Sequence, residues 1–111
     1  MAGNIKIMQG DSYPIPFELT QAGYALTPEM VKDVRLTVGE VLSYSLSAGK
    51  VFFNYSDQKW YFRPSQAETL NLDVERYQVM AKVKYRNTPA DVISVPCGML
   101  DVLDATDTEE I

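Results

Sequence analysis

Apolar residues recur with a period of two along most of this chain. Ile5 and Ile7 flank Lys6, Ile15, Phe17 and Leu19 alternate with Pro16 and Glu18, and Val34, Leu36 and Val38 alternate with Arg35 and Thr37. The longest run is Tyr77, Val79, Ala81, Val83 and Tyr85, interleaved with Gln78, Met80, Lys82, Lys84 and Arg86. Successive side chains of a strand point to opposite faces, so each run predicts a strand with one buried and one wet side. The 77–85 run is the clearest and predicts the centre of a sheet. Weaker runs predict strands at 41–46, 51–55, 59–63, 92–95 and 98–103. Turn residues separate them: Gly10-Asp11, Ala22-Gly23, Gly39-Glu40, Ala48-Gly49, Ser56-Asp57, Asn87-Thr88-Pro89, and Pro96 with Gly98. Eight or nine short strands at this spacing predict an all-β fold, a sandwich or a barrel, and of the two an antiparallel β-sandwich of about eight strands is the expectation.

Two short helical turns are expected between strands. Thr27-Pro28-Glu29 offers a capping residue followed by a proline at the first helical position, where the missing N–H costs nothing. Ser65-Gln66-Ala67-Glu68 fits a capping box, in which Ser and Glu satisfy each other's end amides. Both are expected to carry the chain from one sheet to the other. Proline cannot donate to a sheet ladder, so Pro14 and Pro16 predict an edge strand or a bulge, opposite in facing to Ile15 and Phe17. Gly10 and Asp11 predict the sharp bend that leads into that strand.

The chain has 111 residues and 46% hydrophobic content, which fits one globular domain. The formal charge of −5 is unevenly spread. Residues 1–100 hold ten acids and ten bases, whereas Asp101, Asp104, Asp107, Glu109 and Glu110 stand without a base in residues 101–111. A domain over 1–104 followed by an acidic, flexible tail over 105–111 is therefore expected. A neutral body with an acidic end argues against a nucleic-acid partner, which needs a basic face. No apolar stretch approaches the roughly 18–20 residues that span a bilayer, so no membrane partner is expected. The start, MAGNIKIMQGD, lacks the basic-then-apolar order of a signal peptide, so synthesis in the cytoplasm is expected.

Candidate chemistry is sparse. The chain has no histidine, which removes the commonest general base and metal ligand, and with it any Ser-His-Asp or Cys-His arrangement. Cys97 is the one cysteine, so no intrachain disulfide forms, and with no imidazole to activate it the thiol reads as a small buried hydrophobe. Asp101, Asp104 and Asp107 lack the turn-forming glycine of a calcium loop and read as a solvated end. Asp11, Asp33, Asp73 and Asp91 fall at predicted turns, where aspartate bonds nearby amides, rather than as a glycosidase pair. No metal or cofactor set is expected, and the chain reads as a non-enzyme. Two surface features point instead to contact. Lys82, Lys84 and Arg86 form a basic ladder on the wet side of the 77–85 strand. Aromatics concentrate at Val51-Phe52-Phe53 and Trp60-Tyr61-Phe62, with Trp60 and Phe62 facing one side and Tyr61 the other. Tyr44, Tyr55 and Tyr61, with Lys82, Lys84 and Arg86, are the residues expected to touch a partner. A carbohydrate-binding or adhesion module using exposed tyrosines is the alternative.

The order of elements also carries a resemblance. An apolar alternation leads to Gln9-Gly10-Asp11-Ser12-Tyr13-Pro14-Ile15-Pro16-Phe17-Glu18-Leu19, then a Gly23 hairpin, Leu26-Thr27, and the strand Val34–Val38. Later come Leu70-Asn71-Leu72-Asp73-Val74-Glu75-Arg76-Tyr77-Gln78-Val79 and a closing Gly98-Met99-Leu100-Asp101-Val102 strand. This resembles the immunoglobulin-like N-terminal domain of tailed-phage baseplate upper proteins and related small phage virion proteins. The chain departs from that pattern where Val74-Glu75 or Arg76 stands in place of a glycine before the tyrosine, and it carries no fibre or receptor-binding region. The resemblance implies an immunoglobulin-like sandwich and a small structural subunit of a phage or prophage tail or baseplate. Its partners would be other virion proteins and other copies of itself, and its destination after synthesis in a bacterial host would be the virion. Tyr77, a few residues after Asp73, fits the tyrosine that pins a strand corner in immunoglobulin-like folds. Val79 holds the place of the usual cysteine, so packing alone would join the layers.

Overall fold

The computed structural model describes residues 4–88, 90–107 and 109–111. Pro89 of the expected 87–89 turn, and residues 1–3 and 108 of the expected domain and tail, lie outside the described residues. The chain is all-β. Among the described residues ten strands and one helix follow in order: β1 (Asn4–Met8), β2 (Ile15–Phe17), β3 (Thr20–Gln21), β4 (Tyr24–Ala25), β5 (Val31–Val38), β6 (Leu42–Ser45), β7 (Val51–Asn54), β8 (Lys59–Phe62), α1 (Gln66–Leu70), β9 (Arg76–Tyr85) and β10 (Val92–Leu103). They form a five-stranded sheet in the order β1-β10-β9-β5-β6, a three-stranded sheet in the order β2-β8-β7, and the small hairpin β3-β4. The 77–85 run is the middle strand of the larger sheet, as its alternation predicts. Tyr77, Val79, Ala81 and Val83 are buried while Gln78, Lys82 and Lys84 are exposed.

The two sheets share one core. Val34, Leu36, Val38, Val79, Val83, Leu100 and Val102 of the larger sheet and Ile15, Phe17, Val51, Trp60 and Phe62 of the smaller one belong to a single buried cluster. Fully burying each such side chain contributes about 1.5–3 kcal/mol. The Phe62 ring centre lies 6.1 Å from Phe17 and 5.5 Å from Tyr44. Trp60 satisfies its one polar atom by donating Nε1–H to the Leu26 carbonyl at 2.8 Å, so the large ring is buried without an orphaned donor.

Three expectations need correction. The larger sheet is mixed rather than antiparallel, because β1 runs parallel to β10, with Asn4 opposite Met99 and Met8 opposite Leu103. Alternation fixes which side is wet but not strand direction. Here the chain leaves β1 for the other sheet instead of folding back in a hairpin, and the last strand returns beside the first. Second, 92–95 and 98–103 are one strand. Pro96 and Gly98 mark a bulge inside β10, where Pro96 pairs with Met80 and Gly98 with Val79, leaving Cys97 as the extra residue. Pro96 sits beside the bulge, where the ladder is locally disrupted. Third, Pro28–Met30 is a turn, closed by Met30 N–H to Thr27 O at 3.0 Å, and not a helix. The hairpin expected around Gly23 forms over residues 20–25, where Ala22 and Gly23 both have positive φ, as its two-residue turn requires.

Other local devices follow the sequence. Ser65 caps α1 in a full capping box, with Glu68 N–H to Ser65 Oγ at 3.2 Å and Ser65 N–H to Glu68 Oε1 at 2.8 Å. Pro16 is exposed on β2, an edge strand, between buried Ile15 and Phe17. The Gly10-Asp11 bend closes by Asp11 N–H to Met8 O at 3.1 Å and Met8 N–H to Asp11 Oδ2 at 2.9 Å. Gly10 has φ +87, and a Cβ there would stand 3.1 Å from Leu70 Cδ2, so the bend can press against α1 only without a side chain. The contact is stitched from both sides. Thr69, fully buried, donates to Asp11 O at 2.8 Å, and Gln9 Nε2 donates to Leu72 O at 2.8 Å.

The Tyr77 hydroxyl bonds the backbone of Asp73 twice, accepting from its N–H at 2.9 Å and donating to its carbonyl at 3.2 Å. The ring itself is buried, so one residue joins the core to the entry corner of β9. Tyr44 is the opposite case. Its hydroxyl is buried with no hydrogen-bond partner among the described residues. Burial pushes its pKa up, and the Glu68 carboxylate adds to the rise while its own Oε1 serves Ser65. The same substitution should therefore act differently at the two sites. Tyr77→Phe leaves two backbone groups of Asp73 unpaired and should cost about 1–3 kcal/mol, whereas Tyr44→Phe should be neutral within about 0.5 kcal/mol or stabilising. Urea denaturation midpoints of both variants check this; equal losses would contradict it.

Candidate functional site

The residues expected to touch a partner fall in four places. Tyr44 is not at the surface. Opposite Leu36 in the β5–β6 ladder, it faces inward and is 4% exposed. Its spacing from Leu42 and Leu46, both packed on the core, was the signal that put it on the apolar side. Tyr61 stands on the outer face of the three-stranded sheet, Tyr55 and Arg86 meet beside the Pro28–Met30 turn, and Lys82 and Lys84 lie on the outer face of the five-stranded sheet.

The basic ladder gains a member that the sequence does not connect to it. In the β5–β9 ladder Arg35 is opposite Lys82 and Asp33 opposite Lys84, while on the other side Ser94 is opposite Lys82 and Val92 opposite Lys84. Arg35, Lys82 and Lys84 thus form a three-cation strip in a groove shared with Asp33, Ser45 and Val92. Asp33 makes no ion pair with the strip, because its Oδ1 accepts from Val34 N–H at 2.9 Å and Ser47 N–H at 3.1 Å and its Oδ2 accepts from Ser47 Oγ at 3.2 Å, but its charge, opposite Lys84, offsets part of the strip's. The one ion pair among the described residues is elsewhere, between Arg76 Nε and Asp101 Oδ1 at 2.6 Å. That pair holds the Asp101 carboxyl below its ordinary range through the Arg76 hydrogen bonds and occupies the first acid of the C-terminal stretch.

Arg86 does not join the strip. Its Nη2 donates to the carbonyls of Pro28 and Val31, both at 3.3 Å, and its N–H to Met30 O at 3.0 Å, so the side chain fastens the turn before β5. Tyr55, 60% exposed, donates to Glu29 Oε1 at 3.3 Å on the same turn. The Glu29 carboxyl is held low by its own backbone N–H first and by the Thr27 hydroxyl next.

On the three-stranded sheet, Tyr61 is opposite Pro16 on one side and Phe52 on the other. The Phe52 and Tyr61 rings stack with centres 5.6 Å apart and planes 16° apart. The Tyr61 hydroxyl donates to Asp57, whose hydrogen bond is the first cause of the raised Tyr61 pKa. Pro16, Tyr61 and Phe52 therefore make one apolar row across the outer face. Alternation places Tyr61 outward, but the alignment of Pro16 and Phe52 with it depends on register, which the sequence does not print.

Asp11 and Asp33 are spent on backbone groups, as turn aspartates are. Among the described residues no group of three acids or cysteines could hold a metal ion, and no helix is long and apolar enough to cross a membrane. What the surface offers is charge on one sheet and apolar contact on the other. Cys97 is buried at 1% exposure, and burial pushes its thiol up to about 12. At pH 8 the native protein should leave Cys97 unmodified by a disulfide reagent over hours, while the unfolded chain reacts fully within minutes. Rapid labelling of the native fold would show that the bulge opens. No family model, characterised protein or solved structure matches this chain.

Proposed function

We propose that the chain is a non-enzymatic assembly module with an immunoglobulin-like sandwich architecture, a component of a phage or prophage tail or baseplate that works through protein–protein contacts. The observation that carries this reading is the pairing of unlike outer faces on one rigid body. The strip Arg35–Lys82–Lys84 lies on the larger sheet and the row Pro16–Tyr61–Phe52 on the smaller. A unit with two chemically distinct faces can be gripped by two different neighbours at once, as a subunit in a symmetric particle must be. The doubly bonded Tyr77 corner supports the immunoglobulin-like reading. Rows of tyrosine and phenylalanine anchor protein interfaces. A sugar would need an open ring face, and Phe52 and Tyr61 spend faces on each other, which favours a protein partner over the carbohydrate-binding alternative.

The test is lysine-directed cross-linking of tail particles released from an induced host that carries this gene. Links are expected from Lys50 or Lys59, which flank the apolar row, to another tail protein. Phe52→Ser with Tyr61→Ser should cut incorporation at least about tenfold while leaving the circular-dichroism spectrum unchanged. Particles that assemble normally without the chain, with the protein found only free, would overturn the reading.

A further inference from the structure

The outer face of the five-stranded sheet is basic at one end, and the chain runs into an acidic stretch beyond the other. At one end stand Arg35, Lys82 and Lys84, with Asp33 in the same groove but no ion pair to any of them among the described residues. In the middle come the neutral partners Thr37, Met80 and Pro96. At the other end Arg76 pairs with Asp101, Lys6 of β1 stands opposite the same Asp101, and the chain runs on past Leu103 into Asp104, Asp107, Glu109 and Glu110. Asp107 Oδ1 accepts from Glu109 N–H, and none of these four acids meets a cation among the described residues.

The two unpaired patches of one copy lie far apart. Ser94 is opposite Lys82, and from Ser94 to Leu103 the strand rises about 30 Å at about 3.3 Å per residue. Even fully extended, the chain from Leu103 to Glu110 reaches only about 25 Å, so Asp104 and Asp107 cannot return to their own strip. The end of the chain turns the other way. Ile111 N–H donates to Gln66 Oε1 at 3.0 Å, and the acidic stretch lies along the Gly10-Asp11 bend.

We propose that the Arg35–Lys82–Lys84 strip is the docking surface for the acidic C-terminal segment of a second copy of this chain, so that copies join head to tail. The proposal rests on the assembly reading above and names one of its contacts. Because the two patches sit at opposite ends of one sheet, the contact is heterologous: each copy offers one strip and one acidic end, and copies add in series or close into a ring. Three cations, offset in part by Asp33, face four carboxylates and keep a net positive charge for the attraction, and the neutral middle of the sheet leaves no competing like charge between the two patches.

The experiment is sedimentation velocity of the full chain with charge-reversed variants, at about 20 mM and about 0.5 M salt, because exposed pairs are screened over a few ångströms at the higher value. The wild type should associate at low salt and fall to monomer at high salt. The strip variant (Arg35→Glu, Lys82→Glu, Lys84→Glu) and the end variant (Asp104→Lys, Asp107→Lys, Glu109→Lys, Glu110→Lys) should each stay monomeric, with association weakened at least about tenfold. Mixed together, the two variants should associate again, since each keeps the native patch the other lacks. Circular dichroism confirms that each variant is folded. A wild type that stays monomeric at low salt, self-association that survives strip reversal, or a mixture that fails to associate would each overturn the proposal. A monomer that still enters tail particles would refute head-to-tail docking alone, and association without incorporation would refute the assembly reading alone.

Discussion

Strand β9 pairs on both edges, with β10 and with β5, so the phase of its alternation is imposed on its neighbours. Its inward residues Tyr77, Val79, Ala81 and Val83 are all buried, and their partners Leu100, Val38, Leu36 and Val34 are buried with them. A slip of one residue on β9 would bring Lys82 and Lys84 into the core, at a cost of several kcal/mol for each unpaired charge. The same constraint that builds the core therefore builds the strip. Lys82 and Lys84 face water because Val79, Ala81 and Val83 cannot, and Arg35 stands beside them because Val34 and Leu36 pack inward. The Tyr77 hydroxyl fixes where this register begins by holding the Asp73 backbone.

One strand has to change phase to obey it. In β10 the buried positions before the bulge are Val95 and Cys97, and after it they are Leu100 and Val102. Odd numbers give way to even ones because Cys97 is an extra residue opposite β9. Gly98, at φ +114, takes a backbone conformation that a side chain would strain. Without the bulge, Asp101 would point into the core. With it, Asp101 lies outside against Arg76, and Leu100 and Val102 fill the interior. The buried cysteine is thus a packing residue of a bulge, which accounts for its burial and its raised pKa together.

Much of this was legible in the residues. Period-two runs located β1, β2, β5 and β9, Ser65 and Glu68 announced the capped helix, Pro16 marked an edge, and the outward side of β9 showed its lysines. What failed was long-range. Alternation does not state direction, so the parallel pairing of β1 with β10 was hidden. A proline and a glycine two apart read equally as a turn or a bulge, and β9 alongside decides for the bulge. Tyr44 was misplaced because tyrosine suits either face, although Leu42 and Leu46 shared its parity. At the surface, Lys82 and Lys84 were visible as a pair, but Arg35 joins them from a distant part of the chain through the β5–β9 ladder. Pro16 and Phe52 reach Tyr61 the same way. Arg86 looked like the next rung of the ladder, but it lies past the last residue of β9 and bonds turn carbonyls instead.

On the proposed reading, a protein that works by contact places its functional information in register rather than in motif. A catalytic set needs particular atoms within hydrogen-bond reach, which narrows residue types and leaves a trace in sequence. A strip of cations or a row of rings needs only the right class of side chain at each rung, and many residues satisfy that. The specificity then comes from which rungs align, as Arg35 aligns with Lys82 and Pro16 with Tyr61 and Phe52. In the larger sheet alignment is set by the interior, through the Tyr77 corner and the β10 bulge. A core substitution that shifts that register by one step would therefore erase the strip without touching a single residue on it. Conversely, exchanging Lys82 for arginine should leave the strip's charge in place, because β9 would still present that rung to water.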